Sequence, residues 1–401
     1  MSNKGTRCPV CTGCGKCFGN QTVNTLSTFY GKGYGQKEGL KREITSQAFF
    51  DCKKIEDTDG NLVAVDIGTT TIAMQLRSRS DGAVLDVYTA INPQRKYGAD
   101  ILSRITAAEV EKNRWDMMEL VRGVLQDGLS HFSQVKKMVI AGNTTMIHLL
   151  MGYDVSGLGK APFTPISVDE IHTYMFGVET VVLPGISAFI GGDITAGIYA
   201  LGLDRQENIC LLVDLGTNGE MVLGNRQKLL ATSTAAGPAF EGNGDCFGTD
   251  LMDITAKLLN QGILDETGLL ADPYFDEGIT IEGVKITQQY IRQLQMAKAA
   301  ICTGIEVLYR NYGLTDYNEI DRVYLAGGMG YYLNPEAAAM IGLIPKDLCK
   351  KTEPVGNAAL EGAFLFGTYQ MEKIKNIQDF NLAKEDEFED RYLAHLNFER
   401  E

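Results

Sequence analysis

One short motif occurs twice in this chain. The segment VAVDIGTTTIAMQL at 63–76 returns as LLVDLGTNGEMVL at 211–223. Each copy has an apolar strand that ends in Asp, a tight Gly-Thr turn and a second apolar strand. One such hairpin is weak evidence, because Asp, Gly and Thr are ordinary turn residues. Two copies with matched flanking strands are stronger evidence, and the alternative is that the two hairpins are unrelated. The repeat predicts two related halves that hold one phosphate chain between them.

The chemistry of the two hairpins fits this interpretation. Gly68 and Gly216 let the backbone approach a phosphate without a side-chain clash. The neighbouring threonines and the N–H groups of the turns can bind phosphate oxygens. The strand-end carboxylates, Asp66 and Asp214, can hold Mg²⁺ directly or through water. The sequence contains no Gly-x-x-x-x-Gly-Lys-Ser/Thr motif, so we expect an ATP clamp of a kind other than the P-loop.

Two further segments support the clamp. GGDITAGIYALGLD at 191–204 predicts a helix with Asp193 at its N-cap, which either only caps the helix or also faces the metal or the attacking water. VYLAGGMG at 323–330 predicts an apolar strand followed by a Gly-Gly turn. Such a turn lets an adenine or ribose lie against the backbone, although alone it would also suit simple strand–helix packing.

The order of these four motifs resembles the superfamily of actin, sugar kinases and heat-shock chaperone ATPases over roughly residues 62–370. The resemblance implies an α/β fold of two duplicated ribonuclease H-like lobes, each a mixed five-stranded sheet flanked by helices, with Mg-ATP in the cleft. It assigns Asp66 and Asp214 to the metal and groups them with Asp193 as catalytic residues. The ATP-binding residues that it implies are Gly68, Thr69, Thr70, Thr71, Gly216, Thr217, Asn218, Gly237, Gly327, Gly328 and Met329.

Other segments resemble one branch of that superfamily, the reductive activators of corrinoid proteins. These segments are NPQRKYGADILSRI at 92–105, AGNTTMIHLLMG at 141–152, AAGPAFEG at 235–242, AKAAICTGIEVL at 297–308 and GNAALEGA at 356–363. The resemblance implies an ATP-dependent iron–sulfur reductase that returns a Co(II) corrinoid protein to Co(I). Typical members carry a longer N-terminal portion, often a ferredoxin domain with a 2Fe–2S cluster, whereas only CPVCTGCGKC at 8–17 stands in that position here.

Four cysteines crowd this N-terminal segment: Cys8, Cys11, Cys14 and Cys17. Their Cys-x2-Cys repeat is close to the ferredoxin pattern for a 4Fe–4S cluster. They are too close in sequence for two well-formed disulfides, and a tetrahedral zinc site is the competing interpretation. The fourth ligand is either Cys17 or the distant Cys52, and a cluster shared across a homodimer stays open.

Size and charge narrow the class of protein. A chain of 401 residues with 44% hydrophobic content is long enough for two cores. Its net charge of −14 argues against a nucleic-acid surface. Without an apolar run of about 18 residues or a signal-like N-terminus, we expect a cytoplasmic protein with no membrane partner. We expect four segments: a cysteine-rich segment and linker at 1–58, lobe I at 59–200, lobe II at 201–370 and an acidic tail at 371–401.

The leading hypothesis is therefore an ATP-driven electron-transfer protein whose partners are a corrinoid protein and an electron donor such as ferredoxin. An activator of a radical dehydratase or other iron–sulfur enzyme is a close alternative. A small-molecule kinase or a filament-forming ATPase of the same fold ranks lower, because neither needs crowded cysteines. Apolar periodicity predicts helices near 98–111, 114–131, 143–151, 193–201, 250–260, 287–312, 334–340 and 357–370.

Overall fold

The computed structural model describes residues 53–55, 60–241, 248–281, 283–327 and 333–398. Its strands are β1 (Asn61–Ile67), β2 (Thr71–Ser78), β3 (Val84–Ile91), β4 (Val135–Gly142), β5 (Ile171–Met175), β6 (Val178–Val182), β7 (Ile209–Leu215), β8 (Gly219–Asn225), β9 (Lys228–Thr234), β10 (Ile279–Ile281), β11 (Val284–Ile286), β12 (Ile320–Ala326), β13 (Thr352–Gly356) and β14 (Ile377–Asp379). Its helices are α1 (Ile101–Ala108), α2 (Glu111–His131), α3 (Thr144–Met151), α4 (Gly192–Leu201), α5 (Gly248–Asn260), α6 (Tyr274–Glu277), α7 (Gln288–Tyr312), α8 (Pro335–Met340), α9 (Ala358–Thr368) and α10 (Phe388–Ala394).

The repeated sequence motif corresponds to a repeated arrangement of strands in two sheets. Sheet 1 has the order β3-β2-β1-β4-β6-β5, and sheet 2 has the order β13-β12-β7-β8-β9-β14. In sheet 1, β1, β2 and β3 form an antiparallel meander, and β4 and β6 extend it in parallel on the β1 side. In sheet 2, β7, β8 and β9 form the same meander, and β12 and β13 extend it in parallel on the β7 side. Numbered along the chain within each half, the strand order 3-2-1-4-5 therefore occurs twice, in agreement with two related halves.

Each sheet has six strands rather than the five that were expected. In sheet 1 the extra strand is β5, which pairs with the outer edge of β6 in an antiparallel hairpin. In sheet 2 it is β14, which pairs in parallel with β9. Both are short segments without a clear apolar pattern, so they become strands through pairing at a sheet edge rather than through local propensity.

The segment expected as an acidic tail lies against lobe II. Besides contributing β14, it places Phe398, which is only 2% exposed, in the apolar core of that lobe. Two side chains of α7 hold the same stretch: Lys298 Nζ donates to the carbonyl of Asn397 at 2.5 Å and Gln295 Nε2 donates to that of Leu396 at 2.9 Å. No helix in the described ranges has both the length and the apolarity that a membrane span requires.

Two crossing helices join the lobes. Helix α4 follows the strands of lobe I but packs in the apolar cluster on sheet 2, while α9 follows β13 of lobe II and packs on sheet 1. At the crossing, a Cβ on Gly362 would lie 1.9 Å from the carbonyl oxygen of Ala196. Only glycine, which has no Cβ, allows this close approach, so the helix crossing requires glycine at position 362.

Candidate functional site

A cleft that is open to solvent lies between the two hairpins. Most of the residues predicted for the ATP site line it: Asp66, Gly68, Thr69, Thr70, Thr71, Asp193, Asp214, Gly216, Thr217, Asn218 and Gly327. Their positions agree with one shared site, and their roles stay predictions.

Other predicted residues are not brought to this cleft by the described structure. Gly237 is not among the lining residues, and it lies in a loop after β9 with a left-handed φ of 74°. Gly328 and Met329 lie outside the described residues, as do the cysteines predicted as cluster ligands, Cys8, Cys11, Cys14 and Cys17, and the alternative ligand Cys52.

Both turns are closed by a hydrogen bond from the N–H of their first glycine, and the first turn is one residue longer than the second. The N–H of Gly68 donates to the carbonyl of Thr71 at 2.9 Å, and the N–H of Gly216 donates to that of Asn218 at 2.9 Å. A Cβ on Gly68 would lie 2.8 Å from the Thr71 carbonyl oxygen. The first turn is held further by Asn92, whose Nδ2 donates to the carbonyl of Gly68 at 2.8 Å. Each strand-end aspartate is therefore followed by a tight backbone loop that faces the cleft.

Four carboxyl groups share this cleft and repel one another. Burial raises the pKa of Asp66 to about 6, against a lowering effect of its hydrogen bond from Asn357. Burial and the charge of Asp66 raise the pKa of Asp193 to about 7. Burial, with the charges of Asp193 and Asp66, raises the pKa of Asp214 to about 8. Burial and the charges of Asp193 and Asp214 also raise the pKa of Glu220.

Such a cluster of carboxyl groups fits a bound cation. A divalent ion would offset the mutual repulsion and favour the ionised forms. Within the described ranges, no three His, Cys, Asp or Glu side chains converge to form a direct metal site. Mg²⁺ usually keeps several waters and takes one or two carboxylates together with substrate phosphates. The donor set therefore fits Mg²⁺ that arrives with a nucleotide better than a preformed all-protein site.

The prediction that Asp193 is the N-cap of its helix is wrong in detail. The N-cap of α4 is Gly191, and Asp193 lies in the first turn, where its Oδ1 accepts from the N–H of Ile194 at 2.8 Å. A Cβ on Gly191 would lie 2.5 Å from the Cα of Asn143, so glycine lets the helix start close to β4. The carboxyl group of Asp193 consequently remains available to the cleft.

Three polar residues of the cleft were not among the predicted site residues. Asn143 caps α3 and also donates from Nδ2 to Oγ1 of Thr69 at 3.2 Å. Asn357 caps α9 and donates from Nδ2 to Oδ2 of Asp66 at 2.7 Å. Glu220 pairs with Asp214 across the second hairpin. The usable sequence signal was the position of each asparagine, directly after a strand and before a helix.

Comparison with known proteins identifies the family. A family model described as the RACo middle region matches residues 62–206. A second, described as the C-terminal domain of RACo, the ASKHA domain, matches 208–253 and 246–401. A solved structure of a reductive activator for corrinoid, iron–sulfur protein superposes with a TM-score of 0.76 at 26% identity, over 86% of this chain and 67% of that one.

Two named relatives agree with this. The corrinoid activation enzyme RamQ of Eubacterium limosum is 29% identical over 76% of this chain and 63% of its own length. The [Co(II) methylated amine-specific corrinoid protein] reductase of Methanosarcina barkeri is 23% identical over 84% of this chain and 76% of its own length. The chain thus spans less than two thirds of the Eubacterium relative. Since the two family models together span most of the sequence, the chain belongs to the RACo family of reductive activators of corrinoid proteins, and its C-terminal part is an ASKHA domain.

Proposed function

We propose that this protein is an ATP-dependent reductive activator that returns a Co(II) corrinoid protein to Co(I). The observation that carries the proposal is the pair of duplicated hairpins, which bring Asp66 and Asp214 into one cleft. Family membership supports the corrinoid partner, because the names of the relatives refer to corrinoid activation and to reduction of a Co(II) corrinoid protein.

In this proposal the cleft binds Mg-ATP. Asp66 and Asp214 would hold the hydrated ion, and the turn N–H groups with Thr69, Thr70, Thr71 and Thr217 would bind phosphate oxygens. Asp193 lies with them in the cleft and would orient the attacking water. Gly327 would lie beside the nucleoside, and Gly68, Gly216 and Asn218 would complete the contacts in the cleft. Gly328 and Met329, which lie outside the described residues, remain predicted contacts, and Gly237 is left out because it does not line the cleft. ATP binding and hydrolysis would then close and open the cleft.

The redox part of the proposal rests on the cysteine spacing. Cys8, Cys11, Cys14 and Cys17 would hold a 4Fe–4S cluster, which supplies one electron at low potential when bound. One electron from a donor such as reduced ferredoxin converts one Co(II) to Co(I), so the overall exchange balances. We place this chemistry in the cytoplasm, where thiols stay reduced, and keep a homodimer as the alternative arrangement if one cluster is shared.

The decisive experiment is anaerobic. Reduced protein is mixed with a corrinoid partner protein and with Mg-ATP or a non-hydrolysable analogue, and the Co(I) absorption band is followed. We expect Co(I) to form only with hydrolysable ATP. Equal rates with and without ATP would exclude the coupling. ATPase activity without reduction of any corrinoid protein would instead favour another iron–sulfur acceptor, as in the dehydratase activators.

The cluster has its own test. Anaerobically purified protein should contain iron and acid-labile sulfide. Both should be lost in the double variant Cys8→Ser with Cys11→Ser. Protein that carries zinc without iron would contradict the cluster and would leave the ATP site untouched. A Cys52→Ser variant distinguishes the two choices for the fourth ligand, because only a ligand should lower the iron content.

A further inference from the structure

Helix α9 begins in the cleft. Its N-cap residue, Asn357, uses both ends of its side-chain amide. Oδ1 accepts from the N–H of Leu360 at 2.8 Å, and Nδ2 donates to Oδ2 of Asp66 at 2.7 Å. The hydrogen bond to a carboxylate is of the stronger, charge-assisted kind. The Asp66 carboxyl group is therefore linked through one side chain, Asn357, to the first turn of α9.

The middle of α9 is held by contacts with β2 and with α4. Glu361 forms a buried ion pair with Arg77 of β2 at 2.5 Å, and the two residues are each 6% exposed. The Arg77 guanidinium also lies over the ring of Phe364, 3.9 Å from its centroid. On the other side, Gly362 packs against the backbone of Ala196 in α4. These contacts hold α9, which has 11 residues and is about 16 Å long, as one rigid body.

The far end of α9 receives the N-terminal part of the chain. The N–H of Ile55 donates to the carbonyl of Thr368 at 2.9 Å, and the N–H of Gln370 donates to that of Lys53 at 2.9 Å. Lys54 forms an isolated antiparallel bridge with Tyr369. Its Nζ donates to the carbonyl of Ser80 at 3.1 Å. Residues 53–55 are therefore clamped between the end of α9 and the β2–β3 turn.

We propose that Asn357 is a positioning residue for Asp66 and that α9 carries the state of the nucleotide cleft to the clamp at residues 53–55. The proposal rests on the proposed function, since it needs Mg-ATP to bind beside Asp66. A cation or phosphate that draws the carboxyl group away must either pull Asn357 and the helix with it or break the 2.7 Å bond. We expect the helix to follow, so that the hydrogen bonds of Ile55 and Gln370 at its other end change with it. The chain on the far side of the clamp leads to Cys8–Cys17.

The test measures the clamp without measuring electron transfer. Hydrogen–deuterium exchange of the full-length protein is followed in the peptides that contain Ile55 and Gln370, with and without Mg-ATP. We expect nucleotide to change the exchange rate of both amides by about five-fold or more, the lower end of ordinary allosteric coupling.

The variant that breaks the link is Asn357→Ser. Serine is a good N-cap, so the helix keeps its capping bond, but it lacks the amide donor for Asp66. At Mg-ATP concentrations that isothermal titration shows to saturate the variant, we expect the nucleotide-dependent change at Ile55 and Gln370 to disappear. Asn334→Ser is the matched control, because Asn334 also caps a helix, α8, and does not line the cleft. It should respond as the wild-type protein does.

The outcomes separate the two levels of the proposal. A full nucleotide response at the clamp in Asn357→Ser overturns the link through α9. Wild-type protein that binds Mg-ATP without any change at Ile55 and Gln370 also overturns the link and leaves the proposed function standing. Wild-type protein that binds no Mg-ATP overturns the proposed function and the link with it. If Asn357→Ser does not fold, Asn357→Asp, which also caps well but places a carboxylate beside Asp66, serves the same comparison.

Discussion

The hydroxyl oxygens of Thr70 and Thr217 lie 3.4 Å apart across the cleft, although 147 residues separate them in the chain. Each threonine belongs to the turn of one hairpin, so the two turns face each other at hydrogen-bond distance. In the proposed function, a phosphate chain that enters between the turns would replace this contact with its own.

Asp214→Asn should abolish ATP hydrolysis while the fold is kept. The amide retains the size of the side chain but cannot hold a hydrated Mg²⁺ as a carboxylate does. We expect the hydrolysis rate to fall by about a hundred-fold or more, in line with losses on removal of one electrostatic contact to a transition state. Phosphate release at saturating Mg-ATP measures this effect.

The same variant should be at least as heat-stable as the wild-type apo protein. Since the pKa of Asp214 is raised to about 8, the folded protein disfavours its charged form, and the neutral amide removes that cost. Asp204→Asn is the matched control, because burial raises the pKa of Asp204 too, yet Asp204 does not line the cleft. An unchanged rate of ATP hydrolysis in Asp214→Asn would contradict the assignment of Asp214 to the ATP site.

Stability of the apo protein should fall as the pH rises from about 4 to 9. The carboxyl groups of Asp66, Asp193 and Asp214 have folded-state pKa values of about 6, 7 and 8, above the usual 3.8. Groups with a raised pKa stabilise the fold fully below the ordinary value, and this contribution is lost as pH passes through the folded-state values. We expect the melting temperature to drop by about 5 °C or more across this window.

Mg-ATP should reverse that trend. A bound cation stabilises the ionised carboxylates, so the rise in melting temperature on adding Mg-ATP should be larger at pH 8.5 than at pH 6. Differential scanning fluorimetry at several pH values, with and without Mg-ATP, gives both curves. A Mg-ATP shift that is the same at every pH would argue that these carboxyl groups do not face the ion.

Local sequence patterns predicted the regular elements well. The periodic segment at 287–312 became α7, which is capped by Thr287 and ends at Gly313 with a φ of 95°. The duplicated hairpins also predicted two related halves, and the two sheets have the same strand order. The prediction succeeded in these places because apolar period, caps and turns are properties of neighbouring residues.

Contacts between distant segments were not predictable in this way. β13 reads TEPVG, with a proline and a glutamate, and becomes a strand only because β12 pairs with it. The bond between Asn357 and Asp66 joins residues 291 positions apart. A single sequence shows that Asn357 can cap a helix, but it does not show that the same amide reaches a carboxyl group of the other lobe.

Gly362→Ala should disrupt the junction between the lobes. The added methyl would meet the carbonyl oxygen of Ala196 at 1.9 Å, and a backbone atom cannot move aside as a side chain can. We expect a loss of about 3 kcal/mol or more in the free energy of unfolding, at the upper end of the range for overpacked cores. In Gly197→Ala, the control on α4, the new methyl would lie 3.1 Å from a flexible end of Leu212, so the loss should be smaller. Equal losses in denaturant unfolding would contradict this assignment.

Glu361→Gln should destabilise the protein because it leaves Arg77 buried without its counter-charge. Breaking one side of a buried ion pair typically costs about 3 kcal/mol or more. The exposed pair between Lys160 and Glu109, at 2.8 Å, is the control, and Glu109→Gln should cost less than about 1 kcal/mol. Replacing both buried partners, as Arg77→Met with Glu361→Leu, should recover most of the loss, since matched apolar groups avoid the cost of burying charge. If the double variant were less stable than Glu361→Gln alone, the pair would instead be holding α9 through its specific geometry, and chemical denaturation of the four proteins decides between the two.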